Sequence, residues 1–133
     1  FFDGLANVKW GWAVNNISIP NTKENAIEVY YPGDNYVDYV GIDGFNFGNP
    51  WRTYDQIFSS PLNKLSIYNK PIYIFSMSSA HGDNKANWIN DAFSKIYSNP
   101  KIKGWVWFNQ NKEQNWLIDS DQESLKAFKS SIK

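Results

Sequence analysis

Hydrophobic and polar positions alternate along the chain in two recurring patterns. Short apolar runs rich in Val, Ile and aromatic residues are typical of strands, and they occupy residues 8–15, 36–46, 72–76 and 102–109. The middle of 36–46 is continuously apolar, which is typical of a strand covered on both faces. Segments with helical spacing or polar character follow these runs. This rhythm predicts β/α units that share a parallel sheet.

Helices are predicted within residues 51–67, 83–97 and 120–132. The second is the clearest, because Trp88, Ala92, Phe93 and Ile96 form one apolar stripe at helical spacing. Asp83 or Asn84 can cap its start, and Asn99-Pro100 ends it. In the last helix, Leu125 and Phe128 are expected to face inward.

The length of 133 residues allows only part of a closed barrel, since a complete (β/α)8 barrel needs about 200 residues or more. We therefore predict an α/β fold in a single domain over residues 1–133: half of a (β/α)8 TIM barrel, with four parallel strands and flanking helices. Such a half barrel exposes two strand edges and one sheet face. A second half-barrel segment should complete it, from the same gene, from a second copy or from another polypeptide. Phe1 is not an initiator Met, so the chain is expected to begin inside a longer polypeptide.

Composition narrows the classes of partner and chemistry. The 13 basic and 13 acidic residues cancel and form no runs, so nucleic acid and membrane surfaces are not expected partners. The chain has no Cys and one histidine, His81, which argues against a metal site, and no phosphate-binding glycine loop is present. No cofactor is expected. Aromatic residues make up 18% of the chain, a surplus that fits either stacking on sugar rings or an aromatic-rich core.

Several motifs together resemble the C-terminal half of glycoside hydrolase family 26, whose members are mostly endo-β-mannanases with some β-glucanases and xylanases. The turn Tyr31-Pro32-Gly33-Asp34, followed by Gly41-Ile42-Asp43-Gly44, is the most specific of them. Lys70-Pro71-Ile72 and Val106-Trp107-Phe108-Asn109 extend the resemblance, and Asn7-Val8-Lys9-Trp10 begins it. In these terms the four predicted strands are the fifth to eighth strands of the family barrel.

The resemblance implies that the catalytic apparatus is incomplete. Family members retain anomeric configuration with two Glu residues. In the family, the acid/base Glu comes from the end of the fourth barrel strand, and this chain corresponds only to the fifth to eighth barrel strands. The position that matches the family nucleophile is occupied by Ser76. The family Tyr that orients the nucleophile falls on Phe45. A serine hydroxyl is neutral near pH 7 and cannot replace an anionic carboxylate.

Three functions follow as alternatives. The first is recognition of a β-linked polysaccharide, mannan or β-glucan, without hydrolysis. The second is one half of a retaining endo-β-glycanase whose acid/base Glu lies on another segment. The third is a structural or assembly module with a vestigial sugar cleft. The resemblance also implies an extracellular or cell-surface location.

Candidate sugar-binding residues lie at the predicted strand ends. Trp107 is the first choice as an aromatic platform, and the others are Trp12, Phe45, Asn46, Asn15 and Asn109. Trp10 and Trp105 are expected to be core residues, whereas Phe47 and Trp51 either extend the cleft or anchor a loop.

The polar candidates have mostly structural interpretations. We interpret Asp43 as structural, Asp34 as a turn residue and Asp83 as a helix cap. Glu113 could approach the cleft from the last long loop. A Ser76-His81-Asp83 triad is disfavoured, because no strained Gly-x-Ser-x-Gly elbow surrounds Ser76.

Overall fold

The computed structural model describes residues 7–132, so the expectation about Phe1 lies outside the described residues. Its centre is a four-stranded parallel sheet in the order β1-β2-β3-β4. The strands are β1 (Gly11–Asn15), β2 (Tyr39–Asn46), β3 (Ile72–Ser79) and β4 (Ile102–Trp107). The α-helices are α1 (Tyr54–Leu65), α2 (Lys85–Ser98) and α3 (Gln122–Ser131), with short 3-10 turns at Lys23–Asn25, Ile27–Tyr30 and Ser66–Tyr68. The predicted α/β architecture with four parallel strands is confirmed.

The strand boundaries differ from the sequence prediction at several ends. β1 begins at Gly11, because the N–H of Trp10 donates to the Asp38 carboxylate (2.7 Å), which also pairs with Lys9. Trp10 is 46% exposed, so the expectation that it fills the core is wrong. β3 continues to Ser79, three residues beyond its predicted end at Ser76.

Local side-chain chemistry sets the helix starts. Thr53 and Gln56 form a reciprocal capping box on α1, which satisfies two otherwise unpaired N–H groups. Asp121 caps α3 by accepting from the Ser124 N–H (2.7 Å). The predicted side-chain cap of α2 is wrong: Asn84 occupies the N-cap position and makes no capping bond.

One face of the sheet packs against the helices and forms the core. Val40, Ile42, Ile74 and Met77 on that face are fully buried. Trp105 packs edge-on against Phe93 of α2 (4.6 Å between ring centroids), which confirms it as a core residue. In α3, Phe128 packs against this core as predicted, while the fully or nearly fully buried positions are Ser124 and Ala127.

The opposite sheet face carries aromatic rings laid over glycines of the neighbouring strands. A Cβ on Gly41 would lie 1.9 Å from the Phe75 ring, and one on Gly104 would lie 2.8 Å from the Tyr73 ring. Beside these rings a depression of about 320 Å³ extends to Val106, which is 54% exposed. No element within residues 7–132 covers this face.

Candidate functional site

The carboxyl ends of the strands bring a polar row together on the helix-free face. Asn15, Asp43 and Ser76 occupy matching register positions on β1, β2 and β3. Irregular pairing after Ile42 allows Ser76 to lie opposite Asp43. The structure thus brings these three residues side by side near the carboxyl ends of their strands. In a parallel sheet this edge is where ligand sites form.

Asp43 is the electrostatic centre of this row. Its Oδ1 is buried and has no hydrogen-bond partner among the described residues. Burial raises the pKa of the Asp43 carboxyl, and a hydrogen bond from the backbone N–H of Ser76 opposes that rise only in part. The carboxylate therefore has unused acceptor capacity beside a groove of about 400 Å³ that also contains Asn15 and Tyr30.

An aromatic cluster adjoins the polar row, formed by Phe45, Phe47, Phe108 and Trp116. The Phe45 ring lies 5.7 Å from that of Phe108 and 5.3 Å from that of Trp116. Phe47 lies 5.1 Å from Trp116 and is 50% exposed, so it presents the accessible part of the cluster. Phe45 was predicted here, whereas Trp116 was missed because it lies in a polar loop. The signal in the sequence that could have identified Trp116 is its position as a single Trp among Asn, Lys and Gln residues.

The loop that carries Trp116 is held by hydrogen bonds to its backbone. The Trp116 carbonyl accepts from the Ser78 hydroxyl (3.1 Å) and from the Trp107 indole N–H (3.0 Å). Its own N–H donates to the Gln110 carbonyl (3.0 Å). Trp116 is 1% exposed, so this ring forms a fixed base for Phe45 and Phe47.

Lys85, the first residue of α2, anchors the same loop from below. Its ammonium donates to the carbonyl of Leu117 (2.7 Å), the hydroxyl of Ser120 (3.2 Å) and the carbonyl of Asn115 (3.4 Å). The side chain is fully buried and lies 5.9 Å from the Trp107 ring centre. Burial lowers the pKa of Lys85 to about 8, although the nearby carboxylates of the loop oppose this. This anchor was not identified from the sequence.

Trp107 is a correction to the predicted sugar platform. Its ring is 9% exposed and faces the helices, 6.1 Å from Trp88 and 5.7 Å from Phe128. Alternation along β4 places Trp105 and Trp107 on the helix side, so the exposed residue between them is Val106. Trp107 therefore supports the Trp116 loop and offers no open ring face.

Trp12 and Asn46 also have structural environments, which corrects their assignment as substrate-binding residues. Trp12 packs edge-on against Tyr31 (5.1 Å) and Tyr68 (5.6 Å) on the helix side. Asn46 is fully buried, accepts from the Arg52 N–H (2.9 Å) and donates to the Ser79 hydroxyl (3.0 Å). Its side chain fixes the loop after β2.

Asn109 remains exposed, and its Oδ1 accepts from the Ile118 N–H (2.8 Å), which ties the end of β4 to the following loop. The predicted sugar-binding role of Asn109 thus competes with an internal contact. Asn15 is exposed at its strand end and makes no such internal side-chain contact among the described residues.

The remaining polar candidates are arranged apart from the row. Asp34 accepts from the Tyr31 hydroxyl (2.6 Å) within its turn, as predicted. Glu113 pairs with Lys112 on the exposed loop. The His81 Nδ1 lies 3.2 Å from Asp121, so its acidic neighbour is not Asp83 and the disfavoured triad does not form.

Two further features are absent from residues 7–132, a metal-binding cluster and a membrane-spanning helix. The residues described here contain no group of three or more His, Asp or Glu side chains placed to hold a metal ion. Within 7–132, no helix has the length and apolarity needed to cross a bilayer.

No family model matches the chain. The chain is 41% identical over 138 aligned residues to Endoglucanase H of Acetivibrio thermocellus, a match that covers 98% of the chain. It spans only 15% of the length of that relative.

Solved structures of barrel enzymes resemble the fold at low sequence identity. A family GH128 (subgroup II) endo-β-1,3-glucanase from Pseudomonas viridiflava matches with a TM-score of 0.59 and 15% identity, over 89% of this chain and 52% of that chain. A variant of the subgroup I enzyme from Amycolatopsis mediterranei, in complex with laminaripentaose, matches with a TM-score of 0.54 and 12% identity, over 72% of this chain and 46% of that one. The chain is thus similar in sequence to a segment of Endoglucanase H, and its fold resembles about half of a glycoside hydrolase barrel.

Proposed function

We propose that this chain is the C-terminal half of a family 26-like β-glycanase barrel and forms one wall of a cleft that binds β-linked polysaccharide. The observation that carries the proposal is the polar row of Asn15, Asp43 and Ser76 beside the half-exposed Phe47. Apolar ring faces with a few oriented polar groups are what pyranose rings require. Polymeric substrates stay outside the cell, so the proposed place of action is extracellular or at the cell surface.

Binding without hydrolysis is the activity we assign to the chain by itself. Retaining hydrolysis needs two carboxyl groups about 5 to 5.5 Å apart. Across β1 to β4, Asp43 is the one carboxylate, and its register neighbour at the nucleophile position is Ser76. Phe45 has no hydroxyl with which to orient a nucleophile. The cleft half can therefore hold a sugar but supplies no complete acid and nucleophile pair.

The second half of the barrel is proposed to come from another segment of polypeptide. The uncovered face with Tyr73, Phe75 and Val106 supports this, as does the small share of Endoglucanase H that the chain spans. This arrangement also keeps the second function open, in which the added half supplies the acid/base Glu. A second copy of the chain and a purely structural role are the other outcomes, and light scattering distinguishes a dimer from a monomer of 15.4 kDa.

The ligand class is proposed to be β-glucan first and mannan second. Endoglucanase H is by name a glucanase, and the Amycolatopsis enzyme was solved with a β-1,3-glucan oligosaccharide. Calorimetric titration with laminarihexaose, cellohexaose and mannohexaose discriminates among the linkages and sugars. The same samples are assayed for new reducing ends.

The deciding comparison uses Phe47→Ala and a matched exposed aromatic, Tyr36→Ala, on the loop before β2. Phe47 is 50% exposed and Tyr36 is 72% exposed, so neither truncation opens a core. We expect Phe47→Ala to weaken binding about ten-fold, the value of one lost ring contact, and Tyr36→Ala to leave it unchanged. Absence of binding by the unmodified chain, or robust release of reducing ends by it, would refute the proposal.

A further inference from the structure

A second groove lies on the helix side of the sheet, between the start of α1 and the first three turns of α2. Its volume is about 410 Å³, within the range of ligand sites. Because α1 and α2 directly follow β2 and β3, this groove lies at the same end of the sheet as the cleft but on the opposite face. The two sites are therefore separated by the sheet itself.

Trp51 forms the aromatic wall of the groove and is rigidly held. One side of its ring packs against the core, and Gly82 leaves room for the ring edge, because a Cβ there would lie 3.3 Å from it. The next residue, Arg52, is fixed through its N–H by buried Asn46 (2.9 Å) and through its carbonyl by the Trp88 indole (3.0 Å). A pre-ordered ring loses little conformational freedom when a ligand binds.

The rest of the wall is polar and carries both donors and acceptors. Lys95 pairs with Oδ2 of Asp55 (2.5 Å) and Oδ2 of Asp91 (3.1 Å). The other oxygen of Asp55 accepts from the Ser59 hydroxyl (3.2 Å), so Oδ1 of Asp91 is the oxygen left to accept a further bond among the described residues. Asn84 and Asn87 are exposed, and neither side chain makes an internal hydrogen bond in the described part of the chain. Two carboxylates disfavour an anionic ligand, and the lysine between them disfavours a simple cation.

Tyr54 lies in the chain between two residues that line the groove, Thr53 and Asp55, and its own hydroxyl is buried without a partner among residues 7–132. Tyr54 is 3% exposed, and its phenol oxygen makes no hydrogen bond within residues 7–132. Burial raises the pKa of Tyr54, and the Asp55 and Asp91 carboxylates raise it further, so all three groups share one neighbourhood. An unpaired buried hydroxyl costs free energy, and an ordered water can remove that cost.

We infer that this groove is a second binding site for a β-linked glucan chain, with Trp51 stacked on a pyranose face and the amides, carboxylates and Lys95 bonded to sugar hydroxyls. The inference rests on the proposed function for the class of ligand. Neutral, polyhydroxylated ligands match a wall that mixes donors with acceptors around one aromatic ring. The site would hold the polymer outside the cleft and raise the affinity for long chains through simultaneous contact.

The test follows the indole N–H signals of the chain by NMR during titration with cellohexaose and laminarihexaose. Trp51→Phe assigns the Trp51 signal by its disappearance. We expect this signal to shift saturably, in the unmodified chain and equally in Phe47→Ala, which removes a cleft contact only. A Trp51 signal that stays fixed while Phe47→Ala lowers affinity would overturn the groove and leave the proposed function intact.

Affinity for soluble β-glucan provides the second measurement. We expect about ten-fold weaker binding for Trp51→Ala and a several-fold loss for Asn87→Ala, an exposed change that leaves the core untouched. The matched control is Asn63→Ala, an exposed asparagine near the far end of α1, which should bind as the unmodified chain does. If Trp51→Ala fails to fold, unchanged affinity in both Asn87→Ala and Trp51→Phe would still refute the groove site. An unmodified chain that binds no glucan would refute both the groove site and the proposed function.

Discussion

Replacement of Lys85 by Met tests whether a buried, desolvated lysine holds the loop that carries Trp116. Methionine retains the length and apolar character of the lysine stem but provides no donor. The carbonyls of Leu117 and Asn115 and the Ser120 hydroxyl would lose bonds of 2.7, 3.4 and 3.2 Å. Each buried acceptor left unpaired costs about 1–3 kcal/mol.

The pH dependence of that loss follows from the pKa of Lys85. Burial lowers this pKa to about 8, whereas a lysine in the unfolded chain has a pKa of about 10.4, as in model peptides. Between these values the unfolded chain binds more protons than the folded chain, so the unfolding free energy of the unmodified protein rises with pH. Below pH 8 the charged ammonium carries its desolvation penalty in full, and this offsets part of its hydrogen bonding. Over the whole window the gain is about 3 kcal/mol.

We therefore expect the destabilisation caused by Lys85→Met to be about 3 kcal/mol larger near pH 10 than at pH 7. Urea unfolding, followed by near-UV circular dichroism, measures both proteins at each pH, and the difference cancels the tyrosines and lysines that they share. Lys64→Met is the control, since Lys64 forms a surface pair with Glu28 worth about 0–1 kcal/mol. If Lys85→Met lowers the free energy of unfolding equally at pH 7 and pH 10, the lysine is not desolvated. If the destabilisation is smaller at pH 10 than at pH 7, Asp119 and Asp121 stabilise the charged ammonium.

Two further predictions concern the sheet. Gly44→Ala should lower the free energy of unfolding in urea by about 1–3 kcal/mol, because its Cβ would lie 2.7 Å from side chains of α1. Gly104→Ala should lower it less, because the atoms nearest to its Cβ belong to the Tyr73 ring beside the open face. Equal losses for the two variants would contradict this reasoning. Asp43→Asn should stabilise the chain at pH 7 by on the order of 1 kcal/mol, because burial raises the pKa of the carboxyl and its Oδ1 is unpaired. The raised pKa means that the folded chain keeps this proton to higher pH than the unfolded chain, so the benefit should disappear below about pH 4, where the carboxyl is neutral in both states. A benefit that persists at pH 3 would indicate that charge is not its cause.

Much of the fold followed from local pattern. Continuous apolar runs and the helical stripe of Trp88 and Phe93 identified the strands and α2, because periodicity reflects which faces are buried. Boundaries were less accurate where one side chain decided them. Asp38, which captures the Trp10 N–H, shortened β1, and no periodicity signals that contact.

The sequence analysis placed the candidate site at the carboxyl ends of the strands, and the structure changes which residues could belong to it. The sequence alone determined that polar residues gather at the ends of parallel strands and that these residues can form only about half a barrel, since both depend on residue identity and number. The tertiary structure decided which rings are available. Trp107 and Trp12 face the helices and are held there, while Phe45 and Phe47 reach the open side over Trp116. Side-chain direction at a strand end depends on irregular pairing and on loop anchors such as Lys85, which are contacts between residues distant in sequence and therefore leave no local pattern.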